Sequence, residues 1–291
     1  VPLQAHLFLP QMRMSLDALV ARAQAAEAAG FDGVALMDHL APPMADDQPM
    51  WEAMLAATWL AARTERLTIG HLVLCDAFRH PAVLARQAVT LDHASGGRFE
   101  LGIGWGSVPT ELGTFGVGSM EARERVDRFA ETLEVVRALW TGEPVDHDGR
   151  FHHLRGAQQR PTPLDRIPIV IGGAGRRTLQ LVAQHADWWN VPINQAHLLD
   201  ELRDQAGAAR PSVQLMVTFA PDPATRDEVL ALADRRFGTY PNRVVGDADV
   251  VVEHLRGLAA RGIERVYLWF TDFAEEATLA AFGAEVLPHL R

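Results

Sequence analysis

Short apolar runs alternate along this chain with amphipathic segments of about 12 to 20 residues, the spacing of strands that alternate with helices. Eight such runs lie near residues 6–9, 33–37, 67–74, 99–103, 167–171, 187–191, 213–219 and 265–270. They are apolar over most of their length rather than at every second position, as parallel strands covered on both faces are. No Pro- or Ser-rich linker and no shift of composition divides the units. The pattern therefore predicts one α/β domain over residues 1–291, a closed (β/α)8 TIM barrel rather than an open doubly wound sheet.

The helical segments carry their own punctuation. Leu16, Leu19, Val20, Ala23 and Ala26 form one stripe after a Ser15 N-cap, and Gly30 stands where a helix ends. Phe129, Leu133, Val136 and Trp140 repeat that stripe before Gly142, while Glu121–Arg125 and Glu124–Arg128 read as i,i+4 pairs on a solvated face. Two stretches break the even spacing: a loop over 107–120 after strand 4, and an excursion over 143–161 before strand 5, with Asp148-Gly149 as its hairpin turn. Both are expected as insertions on the barrel.

Composition narrows the chemistry. All 27 basic side chains are arginine and no lysine occurs, which excludes Schiff-base chemistry and a Walker-type phosphate lysine. A net charge of −10 argues against nucleic acid or an anionic membrane as partner and favours a small molecule. The single Cys75 has no disulfide partner, no basic leader precedes an apolar core, and no segment approaches 18 apolar residues, so a cytoplasmic protein is expected. No His-Glu-x-x-His or clustered ligand spacing implies a metal, and no Gly-x-Ser-x-Gly elbow occurs.

On a barrel, function belongs at the C-terminal strand ends. There the chain delivers Gln11 after strand 1, Asp38-His39 after strand 2, Cys75-Asp76 after strand 3, Gly104-Trp105-Gly106 after strand 4, Gly172-Gly173-Ala174-Gly175 after strand 5 and Trp188-Trp189-Asn190 from strand 6. Bare glycine backbone admits a flat ring or an anion closely. The second glycine run precedes a helix, whose N-terminus suits a phosphate. His39 is the candidate general acid–base, Gln11 and Trp189 are candidate substrate contacts, and His80 and His152-His153 read as structural. Adjacent tryptophans in a strand face opposite ways, so only one of Trp188 and Trp189 can face the barrel interior.

A run of motifs then carries a family resemblance. Arg79-His80-Pro81-Ala82-Val83-Leu84-Ala85-Arg86, Thr90-Leu91-Asp92, Ser95-Gly96-Gly97-Arg98, Leu101-Gly102-Ile103-Gly104-Trp105-Gly106, Glu111 before Phe115-Gly116, Pro168-Ile169-Val170-Ile171-Gly172-Gly173 and Ala186-Asp187-Trp188-Trp189 follow in order. With Arg128-Phe129 through Leu139-Trp140-Thr141-Gly142 between them and Val245-Gly246 to Gly262-Ile263 closing the series, this order resembles the luciferase-like monooxygenase superfamily and spans essentially the whole chain. The resemblance implies a homodimeric TIM barrel that binds F420, a 5-deazaflavin, or alternatively FMN, at the C-terminal rim. It places Asp38 on the cofactor and His39 at the reacting carbon, as in the F420-dependent branch. It puts a non-prolyl cis peptide at Leu72-Val73, and Gly104, Trp105, Gly106 and Gly172 to Gly175 (through Gly173 and Ala174) around the cofactor. The implied activity is hydride transfer between the deazaflavin and a small organic substrate. An FMNH2-dependent monooxygenase and a cofactor-binding protein without turnover are the alternatives. Sugar-phosphate dehydrogenases of that branch carry a glutamate where Ser107 stands, a tryptophan where Pro43 stands, and lysines for the phosphate, so these departures argue against that substrate.

Overall fold

The computed structural model describes residues 2–291 except 44, 46, 192, 239, 241 and 242, and the side chain of Ile193. From the N-terminus run β1 (Gln4–Phe8), α1 (Leu16–Ala29), β2 (Gly33–Leu36), α2 (Ala53–Ala61), β3 (Thr68–His71), β4 (Leu74–Cys75), α3 (Pro81–Ser95) and β5 (Leu101–Gly104). Then come α4 (Pro109–Phe115), α5 (Ala122–Trp140), β6 (Val145–Asp148), β7 (His153–Ala157), β8 (Ile169–Gly172), α6 (Arg176–His185) and β9 (Trp188–Val191). The chain closes with α7 (Leu199–Leu202), β10 (Arg210–Phe219), α8 (Arg226–Phe237), β11 (Arg243–Gly246), α9 (Ala248–Ala260), β12 (Arg265–Phe270) and α10 (Glu276–Glu285).

The strands pair in the order β3-β2-β1-β12-β10-β9-β8-β5-β4, every pairing parallel. β3 and β4 are two halves of one barrel strand, interrupted at Leu72–Val73, where the peptide bond is cis. A bridge between Ile69 and Phe99 joins the ends of the order: Ile69 N–H donates to Arg98 O at 2.9 Å, and Glu100 N–H to Ile69 O at 2.9 Å. The result is the eight-stranded barrel that the alternation predicts.

Local chemistry sets the element ends. Ser15 Oγ accepts from Ala18 N–H at 3.1 Å to start α1, and Gly30 ends it in the left-handed region at φ 92°. Leu19, Ala23 and Ala26 are fully buried on the face of α1 turned to the barrel, and a buried leucine contributes roughly 1.5–3 kcal/mol. The Ser95-Gly96-Gly97-Arg98 run serves the fold: Arg98 donates to Ser95 O, Leu67 O, Ala61 O and Thr64 O, fastening the ends of α2 and α3 to the start of β3.

Inside the barrel the N-terminal floor is ionic. Arg265 makes a bidentate pair with Glu100 at 2.6 and 2.9 Å, and its guanidinium lies 3.6 Å from the Trp188 ring. Above this floor Phe8, Met37, Met216, Tyr267 and Trp269 form an apolar layer on which the cleft rests.

Three features depart from the sequence reading. The stretch 107–120, expected as a loop, holds a helix, α4, with Pro109 at its first turn and Gly116 at φ 66° beyond its end, a Pro-first, Gly-last signature. β11 pairs with the C-terminal half of β10, an extra strand beside the eight. Arg125 and Arg128 do not form a solvated face: Arg125 is 6% exposed, and Arg128 turns inward to an ion pair with Asp76. Their i,i+4 spacing to acidic residues is real, but the end of β4 lies on the side to which these arginines point. The excursion before β8 is the expected hairpin, β6 paired antiparallel with β7.

Candidate active site

A cleft of about 820 Å3 opens at the C-terminal ends of the strands. Asp38, His39, Leu72, Val73, Gly104, Trp105, Gly106 and Gly172 to Gly175 all line it, so residues from four barrel strands meet in one place.

Asp38 leaves β2 with its carboxylate buried. Arg79 Nη1 donates to Oδ2 at 2.6 Å, Arg79 Nη2 to Oδ1 at 3.1 Å, and the Cys75 N–H to Oδ2 at 2.8 Å. A carboxylate offers about four acceptor positions, and three are filled, so one remains toward the cleft. Burial acts to lower the Arg79 pKa, but the hydrogen bonds and charges of Asp38 and Glu52 outweigh it and raise it. Asp38 therefore anchors the β4 end of the third barrel strand while bordering the ligand space.

His39 follows on the same turn. Its Nδ1 lies 3.0 Å from Glu111 Oε2, and Glu111 Oε1 accepts from the Leu40 and Ala41 N–H groups at 2.6 and 3.1 Å. A carboxylate accepts only, so Nδ1 carries the proton in this pair, and Nε2 is the nitrogen left for chemistry. No hydrogen bond among the described residues involves Nε2. Glu111 comes from the first turn of α4.

The glycines of β5 answer first to the neighbouring strand. A Cβ on Gly102 would stand 1.7 Å from His71 O, one on Gly104 3.0 Å from Val73 Cγ2, and one on Gly106 3.1 Å from Cys75 Sγ. Only glycine lets β5 lie against the Leu72–Val73 bulge. The second run differs: a Cβ on Gly172 or Gly175 would have no neighbour nearer than 3.8 Å. Gly175 is the N-cap of α6 and no side chain caps that end, which leaves its leading N–H groups unpaired within the helix. Trp105 Nε1 donates to Thr178 Oγ1 at 3.1 Å and ties the β5 end to α6.

Two expected substrate contacts, Gln11 and Trp189, are not among the residues that line the cleft. Gln11 is fully buried and does not line the cleft; its amide donates to Met37 O and Trp51 O and accepts from Met37 N–H. Trp189 is fully buried among the core side chains, and its Nε1 donates to Gly173 O at 2.7 Å. Strand parity turns it outward, and Trp188 faces the barrel floor instead. Asn190, expected at a strand end, also lines the cleft, and the strands add Phe8, Met37, Gln214 and Trp269, whose inward parity follows from register; Tyr240 joins them from the segment before β11. The Cys75 thiol also borders the cleft, and burial pushes it up to about 12, so it stays protonated.

A family model for luciferase-like monooxygenase matches residues 3–262. The chain belongs to the luciferase-like monooxygenase family. Within it, an F420-dependent glucose-6-phosphate dehydrogenase of Microbacterium testaceum is 30% identical over 306 residues, covering 91% of each chain. Among solved structures, an F420-dependent secondary alcohol dehydrogenase in complex with an F420-acetone adduct superimposes with a TM-score of 0.84 at 20% identity, over 100% of both chains. The coenzyme F420-dependent tetrahydromethanopterin reductase from Methanopyrus kandleri gives 0.79 at 18%, again over 100% of both. At these identities the two structures establish the shared barrel.

The bulge at Leu72–Val73, the bare backbone at Gly104 and Gly106, and the uncapped N-terminus of α6 behind Gly172 to Gly175 provide a surface for a flat ring and a donor set for a phosphate. The residues fit a deazaflavin or flavin.

Proposed function

We propose that this chain is an F420-dependent oxidoreductase that moves a hydride between the deazaflavin and a small organic substrate. The observation that carries the reading is the His39–Glu111 pair at the end of β2, beside Asp38 and facing the glycine-lined wall of one cleft. The names of the relatives support the choice of F420 over FMN.

Leu72, Val73, Gly104 and Gly106 would hold the ring, and the N–H groups that follow Gly173, Ala174 and Gly175 its phosphate. When bound, F420 supplies the carbon that gives or takes the hydride. His39 then handles the proton at the substrate oxygen: Nε2 takes it as an alcohol is oxidised and returns it as a carbonyl is reduced. Glu111 fixes the ring and stabilises the imidazolium. Phe8, Met37, Tyr240 and Trp269 keep water from the reacting centre. No arginine is among the described residues lining this cleft and the chain has no lysine, which favours an uncharged substrate over a sugar phosphate.

A cytoplasmic homodimer completes the proposal. Cys75 is a free thiol, and Leu55 and Trp59 on α2 stand 74% and 41% exposed beside Trp51, an apolar face suited to a second copy. Equilibrium titration with F420 and FMN, oxidised and reduced, tests the reading. Tighter binding of F420 is expected; tighter binding of FMNH2 with oxygen consumption would overturn it in favour of a monooxygenase.

A further inference from the structure

A second cavity of about 350 Å3 lies behind Trp105, which forms the wall it shares with the main cleft. Its polar lining comes from Asp76, Ser119, Glu124, Arg125 and Arg128. Arg125 is 6% exposed, its Nε and Nη1 are buried with no hydrogen-bond partner, and it forms no ion pair among the described residues. Its guanidinium lies 5.0 Å from the centre of the Trp105 ring. Arg128, by contrast, is paired with Asp76 Oδ2.

A guanidinium does not lose its proton in proteins, so Arg125 holds a buried charge that no ion pair among the described residues neutralises. Its planar fork matches a carboxylate or phosphate. The cavity offers one complementary feature: Asp76 Oδ1 is also buried without a hydrogen-bond partner, an acceptor left free for an N–H. Glu124, at the rim, is partly exposed and faces Arg150 at 3.8 Å. An inorganic anion would satisfy Arg125 but leave Asp76 Oδ1 bare.

We propose that this cavity binds a carboxylate with a neighbouring N–H donor, the chemistry of a glutamyl unit, with Arg125 on the carboxylate and Asp76 Oδ1 on the N–H. Two sources present that chemistry: the glutamate tail of F420 seated in the adjoining cleft, or a free γ-glutamyl compound. The first source rests on the F420 reading, and the second does not.

The experiment uses three probes: F420, the same deazaflavin stripped of phosphate and glutamates, and γ-glutamylglutamate. Each is titrated into wild type, Arg125→Met and Arg125→Lys. If the tail is the ligand, Arg125→Met weakens F420 by roughly 10- to 100-fold, the range for a hydrogen bond to a charged group. The stripped ring is then unaffected, and Arg125→Lys recovers part of the loss. If a free compound is the ligand, F420 affinity stays constant, and γ-glutamylglutamate raises the Tm of wild type but not of Arg125→Met. The ligand-free Arg125→Met protein is expected to melt no lower than wild type, because an unpaired buried charge has been removed. The proposal is overturned if Arg125→Met lowers Tm while binding of F420 and the stripped ring changes equally, or if no probe responds to Arg125 at all. Absence of any F420 binding would end the F420 reading alone, and the dipeptide arm would still decide the cavity; Arg125→Lys, which keeps the charge, supplies a comparison should Arg125→Met not fold.

Discussion

Glu111 Oε2 stands 3.0 Å from His39 Nδ1 although 72 residues separate the two in the chain. The contact closes α4 over the end of β2, and the remaining oxygen of Glu111 binds the Leu40 and Ala41 N–H groups. One carboxylate thus sets the tautomer of the histidine and the path of the loop behind it.

That arrangement predicts kinetics. His39→Ala should lower kcat by about 10²–10⁴, the range for a general acid–base group. Glu111→Gln keeps the shape but removes the charge that stabilises an imidazolium, so a smaller drop in kcat is expected, with little change in cofactor Kd. The double variant should lose no more than His39→Ala alone, because residues that act as a unit are not additive. Steady-state rates of the three variants check this, and additive losses would separate the two roles.

Asp38→Ala should act on stability and cofactor affinity before turnover. It removes the carboxylate that Arg79 grips twice in a buried setting, and breaking such a pair costs about 3 kcal/mol, the low end of its range, since Glu52 remains as a partner. Chemical denaturation and F420 titration of the same variant measure both effects. Wild-type stability would show that Arg79 does not depend on Asp38.

Among the glycines, Gly102→Ala should fail to fold or lose most of its stability, since His71 O occupies the place of the new carbon. Gly173→Ala is strained at φ 127° and would also perturb the fold. Gly175→Ala is the clean probe of the phosphate cradle, because its φ is −69° and its surroundings are open. It should keep its Tm and bind cofactor less tightly; unchanged affinity would move the phosphate elsewhere.

Acid should weaken the fold. Burial holds His71 and His152 down to about 4, from 6.5, so between those values the unfolded chain binds protons that the folded chain refuses. Their contribution is present above pH 6.5 and is lost as pH falls toward 4, at about 3 kcal/mol for the fully buried His71 and less for His152. Asp76 acts in the opposite sense: burial pushes it up to about 6 against the pull of Arg128, so its contribution declines as pH rises from about 4 to 6. Two groups outweigh one, and Tm is expected to fall between pH 6.5 and 4. His71→Gln should flatten that slope by about one proton, which melting curves across the range will read.

The barrel was legible in the linear order of residues because the burial of strands is periodic and local. Apolar runs such as 169–171 and 266–268 need no partner to be recognised, and Ser15, Gly30 and Pro81 mark helix ends through their own backbone chemistry. The glycine runs and Asp38-His39 stood out for the same reason: they are short, contiguous and at strand ends. What the tertiary structure alone decided are the relations between distant segments. Whether Trp189 or Trp188 faced inward depended on register, a choice of one residue that moves a side chain from floor to core. Whether Gln11 met a ligand depended on Met37 and Trp51 claiming its amide first. Whether Arg125 met water depended on what packed against α5, and its i,i+4 neighbours carried no trace of that. Side-chain partners more than a turn away are set by three-dimensional packing, where the geometry of the closed barrel, and not the spacing of letters, determines which charges meet.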